Sequence, residues 1–76
     1  MATTMATRKV IKVIELVGVS GESWTDAAKN ALAEASKTVH GITGMDVRHS
    51  TAVVEDGAIK EYHVDVRLAF VIEPEN

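Results

Sequence analysis

The sequence predicts an α+β fold in which the chain forms a strand, a helix and then two further strands. Residues 9–17 are rich in Val and Ile, which favours extended structure. Residues 23–39 place apolar side chains at intervals of three and four, the spacing of an amphipathic helix. Asp56-Gly57 then separates two runs of alternating residues, which is typical of a β-hairpin with a two-residue turn.

The first strand and the helix have clear boundary signals. The strand, Lys9 to Val17, carries apolar residues on both faces, which predicts that both faces are covered. We expect the Gly-Val-Ser-Gly segment that follows to interrupt it, and Ser20 or Ser23 to cap the helix. Gly41 fits a left-handed position after the helix. The helix stripe that should face the sheet consists of Trp24, Ala27, Ala28, Ala31, Leu32, Ala35 and Val39.

The Asp56-Gly57 turn sets an expected register for the hairpin, with Glu55 opposite Ala58. Opposite charges then meet on one face and apolar residues on the other, and a slip by one residue would break both patterns. The expected charge pairs are Arg48–Asp65 and Asp46–Arg67, and the expected apolar pairs are Met45–Leu68 and Val47–Val66.

The third strand is long for a protein of 76 residues. From Ile59 to Ile72 it would reach about 45 Å, whereas the helix would span roughly 25 Å. One helix cannot cover such a ribbon, and a chain of this size without cysteine has no disulfide to stabilise it. We therefore expect other copies of the same chain to cover the remainder.

Composition excludes several classes of function. The formal net charge of −3 and the three aromatic residues argue against binding to nucleic acid or to an anionic membrane. No apolar run is long enough to span a membrane. Residues 1–8 are small and polar and lack the pattern of a signal peptide, so we expect a flexible tail and a cytoplasmic protein.

An ordered set of motifs resembles the dodecin family. The resemblance covers residues 9–73 without a gap, which makes this segment the expected domain. The motifs are Val13-Ile14-Glu15-Leu16-Val17-Gly18, Ser20-x-x-Ser23-Trp24, Ala33-x-Ala35-Ser36-Lys37-Thr38, Glu55-Asp56-Gly57, Glu61-Tyr62-His63-Val64 and Ala69-Phe70-x-Ile72-Glu73.

The resemblance implies a β-α-β-β fold in which a three-stranded antiparallel sheet wraps around one helix. It also implies a hollow homododecamer that stores flavin, as riboflavin or FMN, between subunits. In flavin-binding dodecins a tryptophan stacks on the flavin ring and a glutamine bonds its edge. Gly44 and His63 stand at these two positions here. Stacking contributes roughly 1–3 kcal/mol per ring, so flavin binding should be weak.

His63 and the acidic residues leave other ligands open. His63 could bond a flavin edge or a phosphate, or be a partly exposed residue that faces Ser50 beside Asp65. Acidic side chains could instead hold a divalent cation such as calcium or magnesium at an interface. The alternative to flavin storage is therefore a calcium-type metal-binding shell or a shell without a ligand. The acidic candidates are Glu15, Asp46, Glu61 and Asp65.

The histidines and the remaining motifs indicate neither a zinc site nor an enzyme. His40 lies at the predicted helix end, and the expected register places His49 on the core side near Val64. Neither should meet His63 within one chain. The sequence contains no nucleophile–base pattern, phosphate-binding loop or paired-carboxylate motif, so no catalytic residues are predicted.

Overall fold

The computed structural model describes residues 9–72 and confirms the order strand, helix, strand, strand. The expected tail, residues 1–8, and Glu73, which ends the expected domain, lie outside the described residues. The four elements are β1 (Val10–Ser20), α1 (Trp24–Ser36), β2 (Ile42–Glu55) and β3 (Ala58–Ile72).

The three strands form one antiparallel sheet in the order β1-β3-β2. The long third strand is thus the central one, and α1 packs on one face of the sheet. The described molecule measures 66 × 21 × 13 Å, whereas the 13 residues of α1 span only about 20 Å. The expected mismatch between ribbon and helix is confirmed. Within residues 9–72 no helix is long and apolar enough to cross a membrane.

The hydrophobic core lies between α1 and the middle of β3. Alanines form the helix side of the contact, as the stripe predicted, because their small side chains let the helix lie close to the sheet. Branched aliphatic side chains of β3 form the other side. The buried residues are Ala27, Ala28, Ala31 and Ala35 of α1 and Val64, Val66 and Leu68 of β3.

At Gly18 the backbone of β1 packs directly against α1. A Cβ at this position would overlap the backbone oxygen of Ala27 and lie 3.0 Å from the Cβ of Ala31. The expected interruption of the strand at Gly18 is wrong, because β1 continues to Ser20. The glycine instead lets the helix pack closely against a continuous strand.

Ser20 and Ser23 together organise the start of α1. Ser23 Oγ accepts a hydrogen bond from the backbone N–H of Asp26 at 2.9 Å, the geometry of an N-cap. The buried Ser20 Oγ donates to Asp26 Oδ2 at 2.7 Å and accepts from the backbone N–H of Glu22 at 2.9 Å. The helix ends at Ser36, earlier than expected, and Gly41 adopts φ +77° in the connection to β2.

The hairpin turn forms as predicted. Asp56 and Gly57 both have positive φ, +52° and +77°, as a two-residue turn of the primed type requires. Glu55 lies opposite Ala58, and the apolar pairs Met45–Leu68 and Val47–Val66 are confirmed.

Two register shifts offset the middle of the hairpin, and they make part of the expected pairing wrong. One falls between Val53 and Val54 and the other between Val47 and His49. Between them, β2 is displaced by one residue relative to β3. Such a displacement exchanges the two faces of a strand.

The displacement changes the partners of three polar residues. Asp65 lies opposite His49 rather than Arg48, and His63 lies opposite Thr51 rather than Ser50. Arg48 instead approaches Asp46, with Nη1 to Oδ2 at 3.4 Å. His49 is therefore on the sheet face away from the helix, and its expected place on the core side is wrong.

Candidate functional site

The sheet face opposite α1, here called the open face, presents both functional candidates. The register places on it Val13, Glu15, Val17 and Val19 of β1, Gly44, Asp46, His49 and Thr51 of β2, and His63, Asp65, Arg67 and Ala69 of β3. Gly44 lies beside Ala69, and His63 lies between Thr51 and Val19. Ala69 is six positions along β3 from His63, which corresponds to about 20 Å. Within one chain the two candidates thus share a face but not a pocket.

No element of the described chain covers the open face. Ile11, Val13 and Val17 are 63%, 50% and 59% exposed. The expectation that β1 is covered on both faces therefore fails within one chain, where only the helix side is covered. Exposed aliphatic side chains grouped on one sheet face, here with Glu15 among them, are typical of an interaction surface.

A cavity of about 370 Å³ opens on this face at Gly44. Its lining is apolar at the base and charged at one side, where the carboxylate of Asp46 and the guanidinium of Arg67 stand. A volume of this size is at the lower end of the range for small-molecule sites. The lining residues are Val13, Gly44, Met45, Asp46, Arg67 and Ala69.

Backbone geometry does not require the glycine at position 44. Gly44 is absent from the residues with positive φ, and a Cβ built on it would meet only the Cβ of Ala69, at 3.6 Å. This is an ordinary van der Waals distance, so the site accepts a side chain. The effect of the glycine is to leave the space above the strand open.

A row of charged side chains, one from each of the three strands, lies beside this cavity. Arg67 lies between Glu15 and Asp46 in the register, which confirms the expected Asp46–Arg67 pair as neighbours. Arg67 Nε is 3.8 Å from Glu15 Oε1, and the Asp46 carboxylate is engaged by Arg48. Sequence reasoning treated Arg67 only as evidence of register and did not identify it as a cavity residue.

His63 has a carboxylate partner on its own strand. Its Nε2 lies 3.0 Å from Glu61 Oε1, and its side chain is 31% exposed. Nearby, Asp65 Oδ1 is buried and has no hydrogen-bond partner among the described residues. In the part of the chain that the structure describes, no three His, Cys, Asp or Glu residues come together as metal ligands.

Trp24 lies on the other side of the sheet. Its Nε1 donates to the backbone oxygen of Thr51 at 2.9 Å, and its ring packs edge-on against Tyr62 at 4.8 Å. It lines a groove of about 250 Å³ with Val47 and Val64 of the helix face. Within one chain, Trp24 therefore does not stand in for an aromatic residue at Gly44.

Comparison with known proteins identifies the family. A family model described as Dodecin matches residues 10–73. The chain is 35% identical over 65 residues to the dodecin of Thermus thermophilus, covering 86% of this chain and 94% of that protein. The structure of dodecin from Streptomyces coelicolor superposes with a TM-score of 0.85 at 27% identity, covering 92% of this chain and all of that one.

A third relative is described by its ligand. It is a calcium-chelating antigen, a calcium dodecin from Mycobacterium tuberculosis with a novel calcium-binding site. Its TM-score is 0.74 at 31% identity, and the match covers 88% of this chain and 96% of that one. From the family model, the Thermus relative and the shared fold, we conclude that this chain belongs to the dodecin family.

Proposed function

We propose that this protein is a non-enzymatic homododecameric shell that binds and stores a small planar molecule of the flavin type at subunit interfaces. The observation that carries the proposal is the cavity at Gly44, which opens on a sheet face that its own chain leaves uncovered. Family membership supports both the assembly and the ligand class.

Self-association follows from the exposed open face. Three of its four β1 side chains, Val13, Val17 and Val19, are aliphatic, and covering them with a partner would contribute roughly 25 cal/mol for each Å² of apolar surface buried. A second copy of the chain is the proposed partner. Its contact would also close the open side of the cavity, so that ligand binding and assembly support each other.

The contents of the cavity predict modest flavin affinity. The base of the cavity, at Val13, Gly44 and Ala69, contacts a ring through aliphatic groups alone. Without an aromatic side chain at Gly44, the site lacks a stacking contribution of roughly 1–3 kcal/mol. His63, on the same face, is the proposed hydrogen-bonding residue for a ligand shared between two copies.

Fluorescence titration of riboflavin and FMN with purified protein tests the ligand. Quenching of the flavin fluorescence, or a shift in its emission, should appear at tens of micromolar protein, roughly the range expected for a weak site. Gly44→Trp should strengthen binding by about tenfold or more, because it restores a stacking ring. Gly21→Trp is the matched control, since a Cβ there meets nothing within 4 Å and lies outside the cavity. Unchanged flavin fluorescence with both the wild type and Gly44→Trp rejects the proposal.

Calcium is the second candidate, supported by the calcium dodecin among the structural relatives. Within residues 9–72 of one chain no ligand cluster exists, so copies would have to combine carboxylates such as Glu15, Asp46 and Asp65. Elemental analysis of the purified protein tests this candidate, together with its melting temperature before and after a chelator. The calcium candidate is excluded if the purified protein contains no metal and neither the chelator nor added calcium changes its melting temperature.

A further inference from the structure

We infer that Arg67 makes the Gly44 cavity selective for ligands that carry an anionic group, a phosphate or a carboxylate, on their planar body. This inference rests on the proposed function, since it concerns the same cavity. It adds the chemical class of the ligand and the residue that recognises it.

Arg67 lies on the open face beside the apolar part of the cavity. Arg67 lines the cavity together with Gly44 and Ala69, and it precedes Ala69 by two residues on the same face of β3. A side chain at this place borders any molecule that rests on the apolar base. With Asp46 it is one of the two charged residues of the lining, and it is the cation.

The guanidinium of Arg67 has hydrogen-bonding capacity that no neighbour among residues 9–72 uses. A guanidinium presents five N–H donors. Among residues 9–72 it donates no side-chain hydrogen bond within 3.5 Å, because Glu15 Oε1 stands 3.8 Å from Nε. The Oδ2 atom of its other carboxylate neighbour, Asp46, lies 3.4 Å from Nη1 of Arg48. The side chain is 44% exposed, so the donors are accessible to a ligand.

The preference for an anion follows from the geometry of these donors. A guanidinium binds a carboxylate or a phosphate through two parallel hydrogen bonds, a geometry that a neutral hydroxyl cannot reproduce. Glu15 and Asp46 repel any anion nearby, and this repulsion limits the increase in affinity that Arg67 gives to an anionic ligand. We expect an anionic ligand to bind about tenfold more tightly than its neutral counterpart.

Three flavins that share one ring system test the inference on the assembled protein. Riboflavin is neutral, FMN carries a phosphate on the ribityl chain, and N10-carboxymethyl flavin carries a carboxylate close to the ring. Tighter binding of FMN alone identifies a phosphate site, whereas tighter binding of both anions identifies the shared chemistry. Equal affinity for all three overturns the inference and leaves the proposed function intact. Absence of binding by all three overturns both.

Substitution of Arg67 links the preference to this side chain. Arg67→Gln should reduce the ratio of FMN to riboflavin affinity to about one, and Arg67→Lys should keep part of the ratio. Lys60→Gln removes the same charge at the far end of the hairpin, next to Glu55, and should leave the ratio unchanged. An unchanged ratio in Arg67→Gln contradicts the inference.

A measurement on the unmodified protein covers the case in which the Arg67 variants do not assemble. Raising the salt from about 20 mM to about 500 mM weakens the contact between Arg67 and an anion, although less at a closed interface than in open water. The ratio of FMN to riboflavin affinity should therefore fall, whereas riboflavin binding should change little. A ratio that does not change at all between the two salt concentrations contradicts a role for the guanidinium.

Discussion

The indole Nε1 of Trp24 donates a hydrogen bond to the backbone oxygen of Thr51, 2.9 Å away. The bond joins the first residue of α1 to the part of β2 that lies between the two register shifts. The same ring packs edge-on against Tyr62 of β3. One side chain thus connects the helix to both strands of the hairpin.

Trp24→Phe should destabilise the fold by about 1 kcal/mol, because phenylalanine keeps an aromatic ring against Tyr62 but cannot donate to Thr51. Trp24→Ala should cost more, since the ring contact is lost as well. Urea unfolding at a fixed protein concentration measures both, because assembly makes stability depend on concentration. Equal stability of the wild type and Trp24→Phe would show that the hydrogen bond contributes nothing.

The sequence predicted the parts of the fold that depend on local chemistry. Asp56-Gly57 specified the turn, and the alanine spacing specified the helix face that packs on β3. The pairing in the middle of the hairpin could not be predicted in the same way. The two register shifts displace the strands in opposite senses and therefore cancel. The Asp46–Arg67 pair, which lies outside the shifted segment, consequently has the register of a hairpin without shifts. Only the structure shows that His49, and not Arg48, lies opposite Asp65.

The candidate site, like the fold, could be predicted from the sequence only in part. The face shared by Gly44 and His63 was predictable from alternation, and the structure agrees. The cavity was not, because its volume depends on side chains from three different strands. Arg67 is a candidate because its Nε is 3.8 Å from Glu15 Oε1, too far for a hydrogen bond, and a sequence does not contain this distance.

Gly18→Ala should destabilise the fold by roughly 3 kcal/mol or more, because the new methyl group would overlap the backbone oxygen of Ala27. Either α1 must move away from β1, or the strand must bend. Gly21→Ala is the matched control, because a Cβ there meets nothing within 4 Å, and its stability should not fall. Thermal unfolding of the two variants compares them directly, and equal melting temperatures would contradict the close contact.

Ser23→Ala should cost about 1 kcal/mol, since it removes the acceptor of the Asp26 backbone N–H. Ser20→Ala should cost at least as much, because the buried hydroxyl bonds both the Asp26 carboxylate and the Glu22 N–H. The double variant should fall short of the sum, because both side chains hold Asp26. A double-mutant cycle by urea unfolding measures this coupling, and strict additivity would show that the two serines act independently.

Val17→Lys should disrupt the assembly while leaving the single chain folded. Val17 is 59% exposed in the isolated chain, where a surface substitution changes stability by about 0.5 kcal/mol or less. Once a second copy covers the open face, the same lysine becomes a buried charge without a partner, which costs several kcal/mol. Light scattering should therefore give a mass far below twelve times the 8.2 kDa of one chain, with an unchanged circular dichroism spectrum. Ala33→Lys adds the same charge at an exposed helix position and should leave the particle intact. An intact particle for Val17→Lys would show that the copies meet elsewhere and that the open face stays in contact with water.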